Sequence, residues 1–170
     1  MDLATRFALE NLLNEFNYGA DRRDYAAVLR CYHPGAIDEH GGYNGPVEGY
    51  IDWLKVVQES MEMSSHVITN MRFTVEGDRA ESEARGTTYL RMKGSEPFNL
   101  IVVGRHFDKY ERRNGEWRFA HRSLCVDWVQ VFPAGNASID VVGAVQRGKM
   151  GKDDPFYSRL DLLPAALKRA

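Results

Sequence analysis

The chain has 170 residues, and a hydrophobic content of 44% is enough to bury the core of one domain. The net charge of −2 argues against binding to nucleic acid or a membrane surface through bulk charge. No apolar run approaches the roughly 18–20 residues that cross a bilayer, and the N-terminal residues lack the apolar region of a secretory signal. We therefore expect a cytoplasmic protein.

The two cysteines, Cys31 and Cys125, lie far apart in the sequence and fit no zinc spacing. Free, buried thiols in a reducing compartment are the ordinary interpretation of such a pair. We expect neither a metal nor a cofactor.

The first helix is predicted over residues 3–19, because apolar side chains recur there at helical spacing. These side chains are Leu9, Leu12, Leu13, Phe16 and Ala20. Gly19 is expected near its C-terminal end, where glycine is common. Asp24 then caps a second helix that runs to about Tyr32. Asp21 is placed in the elbow between the two helices.

A short polar strand over residues 36–40 and a turn precede a third helix, which Pro46 opens. From His66 onwards the apolar period changes to two. Four strands are predicted at about 65–76, 79–93, 98–112 and 116–132, with tight turns at Gly77-Asp78 and Asn114-Gly115. A β-bulge near Met71 would reconcile the two inward-facing registers of the first of these strands.

These elements predict an α+β fold, in which a curled antiparallel sheet wraps around three N-terminal helices. Such a sheet forms a cone, and its open end is a natural ligand site. Residues 1–132 are predicted to form this single domain. Residues 133–170 are predicted to form an extension that covers the pocket mouth or contacts another subunit.

Asp21 and His66 are the candidate catalytic residues. If the fold brings them together, the carboxylate orients the imidazole, and the imidazole acts as a general base. The alternatives are structural: His66 would bond a loop carbonyl at a strand end, and Asp21 would cap the second helix.

The order of these elements resembles SnoaL-like proteins of the nuclear-transport-factor-2-like superfamily. The segment from Tyr110 to Phe119, which closes the last hairpin, is typical of that superfamily. The functional motifs are most similar to those of scytalone dehydratase, hexachlorocyclohexane dehydrochlorinase and bile-acid 7α-dehydratase. The resemblance implies a His–Asp pair at Gly19-Ala20-Asp21 and Ser65-His66-Val67, and an arginine at Arg122-Ser123-Leu124-Cys125.

The sequence departs from these enzymes at positions near the pair. Phe16 stands where the dehydrochlorinase has a lysine, and Ala20 stands where the scytalone enzyme has a tyrosine. The second histidine of the scytalone enzyme falls near Thr88 or Tyr89 of this chain. The resemblance therefore supports the proton-abstracting pair more directly than it supports any residue that would assist the leaving group.

Five further residues are expected to bind the substrate. Arg122 is expected to bind an anion or oxyanion, or else to lie on the surface beside Arg118. Tyrosine hydroxyls and aromatic rings would complete the pocket. These aromatic residues are Tyr50, Tyr89, Trp53 and Trp128.

Three other histidines receive weaker interpretations. Asp38 and His40 share one strand face and weakly suggest a metal, although a solvated strand end is favoured. His106 and His121 lie among charged neighbours and are interpreted as surface or hairpin-pairing residues.

The sequence thus predicts a cofactor-independent lyase of the dehydratase type, acting on a small apolar ring or polyketide-like molecule. A ketosteroid-isomerase-like enzyme with the same pair and a non-catalytic ligand-binding module are the alternatives. We also expect a homo-oligomer, and the resemblance to dehydratases favours a trimer over a dimer.

Overall fold

A computed structural model describes residues 1–135 and 146–163. Three helices precede the four long strands, as predicted: α1 (Leu3–Arg22), α2 (Tyr25–Arg30) and α3 (Val47–Glu59). Helix α1 continues past Gly19, so Asp21 lies in its last turn and not in the elbow, which corrects the prediction. A Cβ atom at Gly19 would lie 3.0 Å from Cγ2 of Val28, so this glycine permits close packing of α1 on α2. Arg23, with a left-handed φ of 56°, caps the helix.

The remaining secondary structure is dominated by one six-stranded sheet. Its strands are β1 (Tyr32–Glu39), β2 (Asn44–Pro46), β3 (Met61–Glu76), β4 (Arg79–Met92), β5 (Phe98–Arg113) and β6 (Glu116–Pro133). Their order is β2-β1-β6-β5-β4-β3, with β3 to β6 antiparallel and β1 parallel to β6. The four long strands are confirmed, and the α+β class is confirmed with them.

Two strand boundaries differ from the prediction. Strand β3 begins at Met61, so His66 lies inside the strand and not at its opening. Strand β1 begins at Tyr32, immediately after α2, and absorbs the segment from His33 to Gly35. Gly35 has a φ of 76°, and the pairing with β6 shifts register between Tyr32 and Ile37. Strand β1 is therefore longer than the predicted strand over residues 36–40 and is irregular in its first half.

The predicted bulge in β3 is confirmed. Asn70 has a φ of 51°, and the pairing with β4 shifts register between Thr69 and Arg72. Before the bulge Ile68 packs against the core, and after it Phe73 does so. The extra residue thus keeps the same face of a long strand turned towards the helices.

The core lies between the helices and the inner face of the sheet. Helices α1 and α3 contribute Leu9, Leu13, Phe16, Val47, Tyr50 and Leu54, and the sheet contributes Tyr32, Ala80, Ala84, Tyr110 and Phe119. On β4 the small residues Ala80 and Ala84 are buried against this core. Among the described residues no helix is long and apolar enough to cross a membrane.

The C-terminal extension is described at 133–135 and 146–163, and the rest of it lies outside the described residues. It contains a 3₁₀ turn (Gly151–Asp153) and α4 (Pro155–Arg159). The guanidinium of Arg22, in the last turn of α1, lies 4.5 Å from the ring centre of Phe156 and 3.8 Å from the carboxylate of Asp154. This part of the extension therefore packs against the last turn of α1.

Candidate active site

Asp21 and His66 are in direct contact. The Nδ1 atom of His66 lies 2.6 Å from Oδ1 of Asp21, and the backbone N–H of His66 donates to Oδ2 at 2.9 Å. The hydroxyl of Ser64 also donates to Oδ1, at 2.9 Å. Both side chains are mostly buried, with 17% of His66 and 19% of Asp21 exposed. The carboxylate is thus held by three donors at the edge of the cone.

The end of α1 is fixed to β3 by two polar side chains. The guanidinium of Arg23 donates to the carbonyl oxygens of Gln58 and Met61 at 2.9 and 2.6 Å. The amide of Gln58 donates to the carbonyl of Ala20 at 3.0 Å. These bonds tie the last turn of α1 to the junction of α3 and β3, which places Asp21 over His66.

The contacts of Asp21 determine its charge and the tautomer of His66. Burial acts to raise the pKa of Asp21, but the hydrogen bonds and charge of His66, with the Ser64 hydroxyl, lower it below its usual value. Asp21 is therefore an ionised acceptor at neutral pH. An acceptor at 2.6 Å requires the proton of a neutral imidazole to sit on Nδ1, which leaves the lone pair of Nε2 free.

Arg122 lies deeper in the cone and has no solvent exposure. Its Nε atom is 3.2 Å from Oδ1 of Asp108. The guanidinium stacks 4.0 Å from the ring centre of Phe16 and 4.7 Å from that of Phe119. The alternative that placed Arg122 on the surface beside Arg118 is therefore wrong. Its buried cation pairs with an acid.

A second buried carboxylate, Asp38, completes this charged interior. It is fully buried and accepts a hydrogen bond of 2.5 Å from the hydroxyl of Tyr32. Burial raises the pKa of Asp108 to about 6, with Arg122 acting in the opposite direction and Asp38 in the same one. Although burial opposes it, the two carboxylates and two nearby tyrosines raise the pKa of Arg122, which stays a cation. The interior of the cone is thus strongly polar.

Comparison with known proteins assigns the chain to a family. The sequence model described as a SnoaL-like domain matches residues 1–123, which is most of the chain. The chain belongs to the SnoaL-like family. It is thereby a member of the nuclear-transport-factor-2-like superfamily, as its motifs predicted.

Two curated relatives share 29% identity with this SnoaL-like protein over 132 residues, covering 74% of the chain and 83% of each relative. They are gamma-hexachlorocyclohexane dehydrochlorinase and hexachlorocyclohexane dehydrochlorinase 2, from two strains of Sphingobium indicum. The family thus contains enzymes that convert small molecules.

Solved structures show the same fold at lower identity. A putative scytalone dehydratase from Novosphingobium aromaticivorans matches with a TM-score of 0.70 and 17% identity, covering 80% of this chain and 97% of that one. A hexachlorocyclohexane dehydrochlorinase from Novosphingobium barchaimii matches with a TM-score of 0.71 and 22% identity, covering 81% and 95%.

The aromatic residues predicted for the pocket divide between the two faces of the sheet. Tyr50 and Trp53 lie on the helix side, with ring centres 5.7 Å apart. Tyr89 is 49% exposed and pairs with Ser65, on the face opposite His66, so its prediction as a pocket residue is wrong. Trp128 is 51% exposed and is also placed on the outer face, which corrects the second prediction.

The structure also adds polar residues that the sequence interpretation missed. His106 is 5% exposed on the inner face of β5, so its interpretation as a surface residue is wrong. Asp38 is fully buried, so the solvated strand end is wrong as well, and its Oδ1 lies 3.4 Å from Nδ1 of His40. His121 remains partly exposed, 3.4 Å from Glu39. On β5, His106 and Asp108 alternate with Phe107, and this alternation was the available signal. It runs against the usual pattern, because here the polar residues face inward and Phe107 faces outward.

No group of three or more metal-binding side chains forms among residues 1–135 and 146–163. Both cysteines are free, and burial raises the pKa of the Cys31 thiol to about 12. Cys125 is only partly buried, which corrects its prediction, and its Sγ lies 3.5 Å from the guanidinium of Arg105 on the outer face.

Proposed function

We propose that this SnoaL-like protein is a cofactor-independent lyase of the dehydratase type, in which His66 is the general base and Asp21 orients it. The observation that carries the proposal is the contact of 2.6 Å between Nδ1 of His66 and Oδ1 of Asp21. A catalytic pair needs a hydrogen bond of about 2.6–3.2 Å. The relatedness to dehydrochlorinases, which are named for an elimination, supports the same class of reaction.

The elimination follows from the tautomer of His66. Its free Nε2 accepts a proton from a carbon atom that an adjacent carbonyl makes acidic. The electron pair of that C–H bond forms a C=C bond, and the C–O bond at the neighbouring carbon breaks. The departing hydroxide takes up the proton from the imidazolium and leaves as water, which restores neutral His66.

Asp21 contributes through the imidazolium that forms during the reaction. Its carboxylate stabilises the positive charge of protonated His66 and holds the ring in one orientation. Proton transfer to a positioned base typically contributes about 10²–10⁴-fold to the rate. Trp53, which is partly buried beside Tyr50, supplies an aromatic surface that suits a small ring or polyketide-like substrate.

The experiment is a substrate screen with matched variants. β-Hydroxy ketones on one- and two-ring skeletons are incubated with the wild-type protein, and products are identified by mass and by the absorbance of the new double bond. We expect loss of one water, with at least about a 10²-fold lower rate for His66→Gln. His121→Gln is the control, because His121 faces a carboxylate on the outer surface.

The alternatives give different results in the same screen. Turnover that needs His66 but leaves the substrate mass unchanged would indicate an isomerase with the same base. Saturable binding without turnover, unaffected by His66→Gln, would contradict catalysis and indicate a ligand-binding module.

A further inference from the structure

The interior of the cone carries two more histidines beyond His66. His106 projects from the inner face of β5, and His40 follows the end of β1, with 6.2 Å between their ring centres. Both Nδ1 atoms are buried; that of His106 has no hydrogen-bond partner, and that of His40 has only the ion-pair contact of 3.4 Å with Asp38 among the described residues. Native proteins rarely leave a buried polar atom unpaired, and a functional site is one of the usual reasons. The two histidines are therefore candidates for contact with a ligand.

His106 lies on the same face of the sheet as His66. On β4, Thr88 pairs with His66 and Ala84 pairs with His106, and Gly86 lies between them. A Cβ atom at Gly86 would lie only 3.0 Å from Nε2 of His106. The glycine thus leaves room for the imidazole ring over the middle of the sheet.

The chemistry of His106 suits a neutral oxygen. Burial, with the charges of Arg122, His40 and His66, lowers the pKa of His106 well below its usual value. It is therefore a neutral imidazole at physiological pH, with one N–H donor and one acceptor. A neutral donor pairs well with a hydroxyl or carbonyl oxygen, whereas a chlorinated hydrocarbon offers it no comparable acceptor.

His40 lies beside His106 and closer to the solvent. Its side chain is 18% exposed, and its Nδ1 lies 3.4 Å from the buried Oδ1 of Asp38. Its ring centre is 5.3 Å from that of Tyr50 and 6.3 Å from that of Trp53. A ligand ring held against Trp53 would lie beside His40, whose ring centre is 6.2 Å from that of His106.

We propose that His106 and the Asp38–His40 pair form an oxygen-binding end of the site, which selects ring substrates bearing a hydroxyl or carbonyl group over the corresponding hydrocarbons. The inference rests on the proposed function, since it places the substrate in the same cone as His66. It names the substrate class as an oxygenated ring. His106 is a residue that determines specificity, and it is distinct from the base.

The test measures binding and does not require turnover. 1-Indanone and indane share a skeleton and differ in one carbonyl oxygen, so their dissociation constants isolate its contribution. We expect the wild-type protein to bind 1-indanone about tenfold more tightly, as for one well-made hydrogen bond. In ¹⁵N-histidine spectra of the wild-type protein, the ring nitrogens of His106 should shift with 1-indanone and not with indane.

Two matched variants test whether His106 causes the preference for 1-indanone. In His106→Phe the preference should disappear, whereas in His121→Gln it should remain. Equal affinities in the wild-type protein, no binding of either compound, or a preference that persists in His106→Phe would overturn the inference. If His106→Phe does not fold, His106→Asn and the wild-type spectra decide. A preference for 1-indanone over indane, with no elimination in the substrate screen, would overturn only the proposed function. Elimination in that screen, with no preference for 1-indanone, would overturn only this inference.

Discussion

Asp21 binds His66 twice, once through the main chain and once through the ring. Its Oδ2 accepts the backbone N–H at 2.9 Å, and its Oδ1 contacts Nδ1 at 2.6 Å. One carboxylate therefore sets both the position of the strand and the orientation of the imidazole. Loss of this side chain should affect the stability of the protein as well as its chemistry.

We expect Asp21→Asn to destabilise the protein by about 1–3 kcal/mol at pH 7, because a charged hydrogen-bonded group is lost from a mostly buried position. The effect should depend on pH. The pKa of Asp21 is lower in the folded protein than its usual 3.8, so the stability it contributes is present above that value. It is lost as the pH falls through the folded pKa, and the difference between the proteins should shrink there.

Urea unfolding of both proteins between pH 7 and pH 3 measures this difference. Asp52→Asn is the control, because Asp52 is a largely exposed carboxylate that pairs with Lys55 on the surface of α3. A loss of stability that is the same at every pH would contradict the prediction.

A double-mutant cycle tests the buried ion pair. Arg122→Met removes the cation that lies 3.2 Å from Asp108 and leaves that carboxylate buried without its partner. We expect a loss of about 3–5 kcal/mol in the free energy of unfolding. Asp108→Asn in the same background should recover part of it, because the uncompensated charge is gone. Arg118→Met, at a partly exposed position, is the control, and additive effects at Arg122 and Asp108 would contradict the prediction.

The same pair predicts a second pH effect, of opposite sign to that of Asp21. The pKa of Asp108 is raised to about 6, above its usual 3.8. Its contribution to stability is fully present below pH 3.8 and is lost as the pH rises through about 6. The wild-type protein should therefore gain stability relative to Asp108→Asn between pH 7 and pH 5, as measured by chemical unfolding. An unchanged difference over that interval would contradict the raised pKa.

The main features of the fold could be predicted from the sequence because they rest on local patterns. Short segments are enough to show the helical spacing of Leu9, Leu13 and Phe16 and the turn at Asn114-Gly115. Even the bulge in β3 could be predicted, since the inward parity changes within one strand. Boundaries were less accurate, since the register of β1 depends on its pairing with β6.

The polar interior could not be predicted in the same way. Hydrophobic periodicity assumes that inward residues are apolar, and Asp38, His106 and Arg122 are inward and polar. Arg122 pairs with Asp108, and Asp38 accepts a hydrogen bond from Tyr32, contacts that only the tertiary structure shows. Tyr89 and Trp128 were misplaced for the opposite reason, since large aromatic residues were expected inside.

The C-terminal extension should be held in place by Arg22. Its guanidinium lies between the rings of Tyr18 and Phe156, 4.9 and 4.5 Å from their centres. We expect Phe156→Ala to speed amide hydrogen exchange in residues 147–160 with little effect on the midpoint of global unfolding, because the contact is peripheral. Arg79→Met, which removes an exposed pair with Glu76, is the control. Unchanged exchange in Phe156→Ala would show that this contact does not hold the extension.

The outer face of the sheet predicts self-association. Val67, Thr87, Val103 and Trp128 form one row across β3 to β6, and Val67 and Trp128 are 45% and 51% exposed. Exposed apolar rows of this kind usually mark an interface. We expect sedimentation velocity to show a homo-oligomer, a trimer more readily than a dimer, and Trp128→Glu to shift it to the monomer by burying a charge. Phe7→Glu is the control, because Phe7 is 70% exposed on α1, away from this row. A wild-type protein that sediments with the mass of a monomer would contradict the prediction.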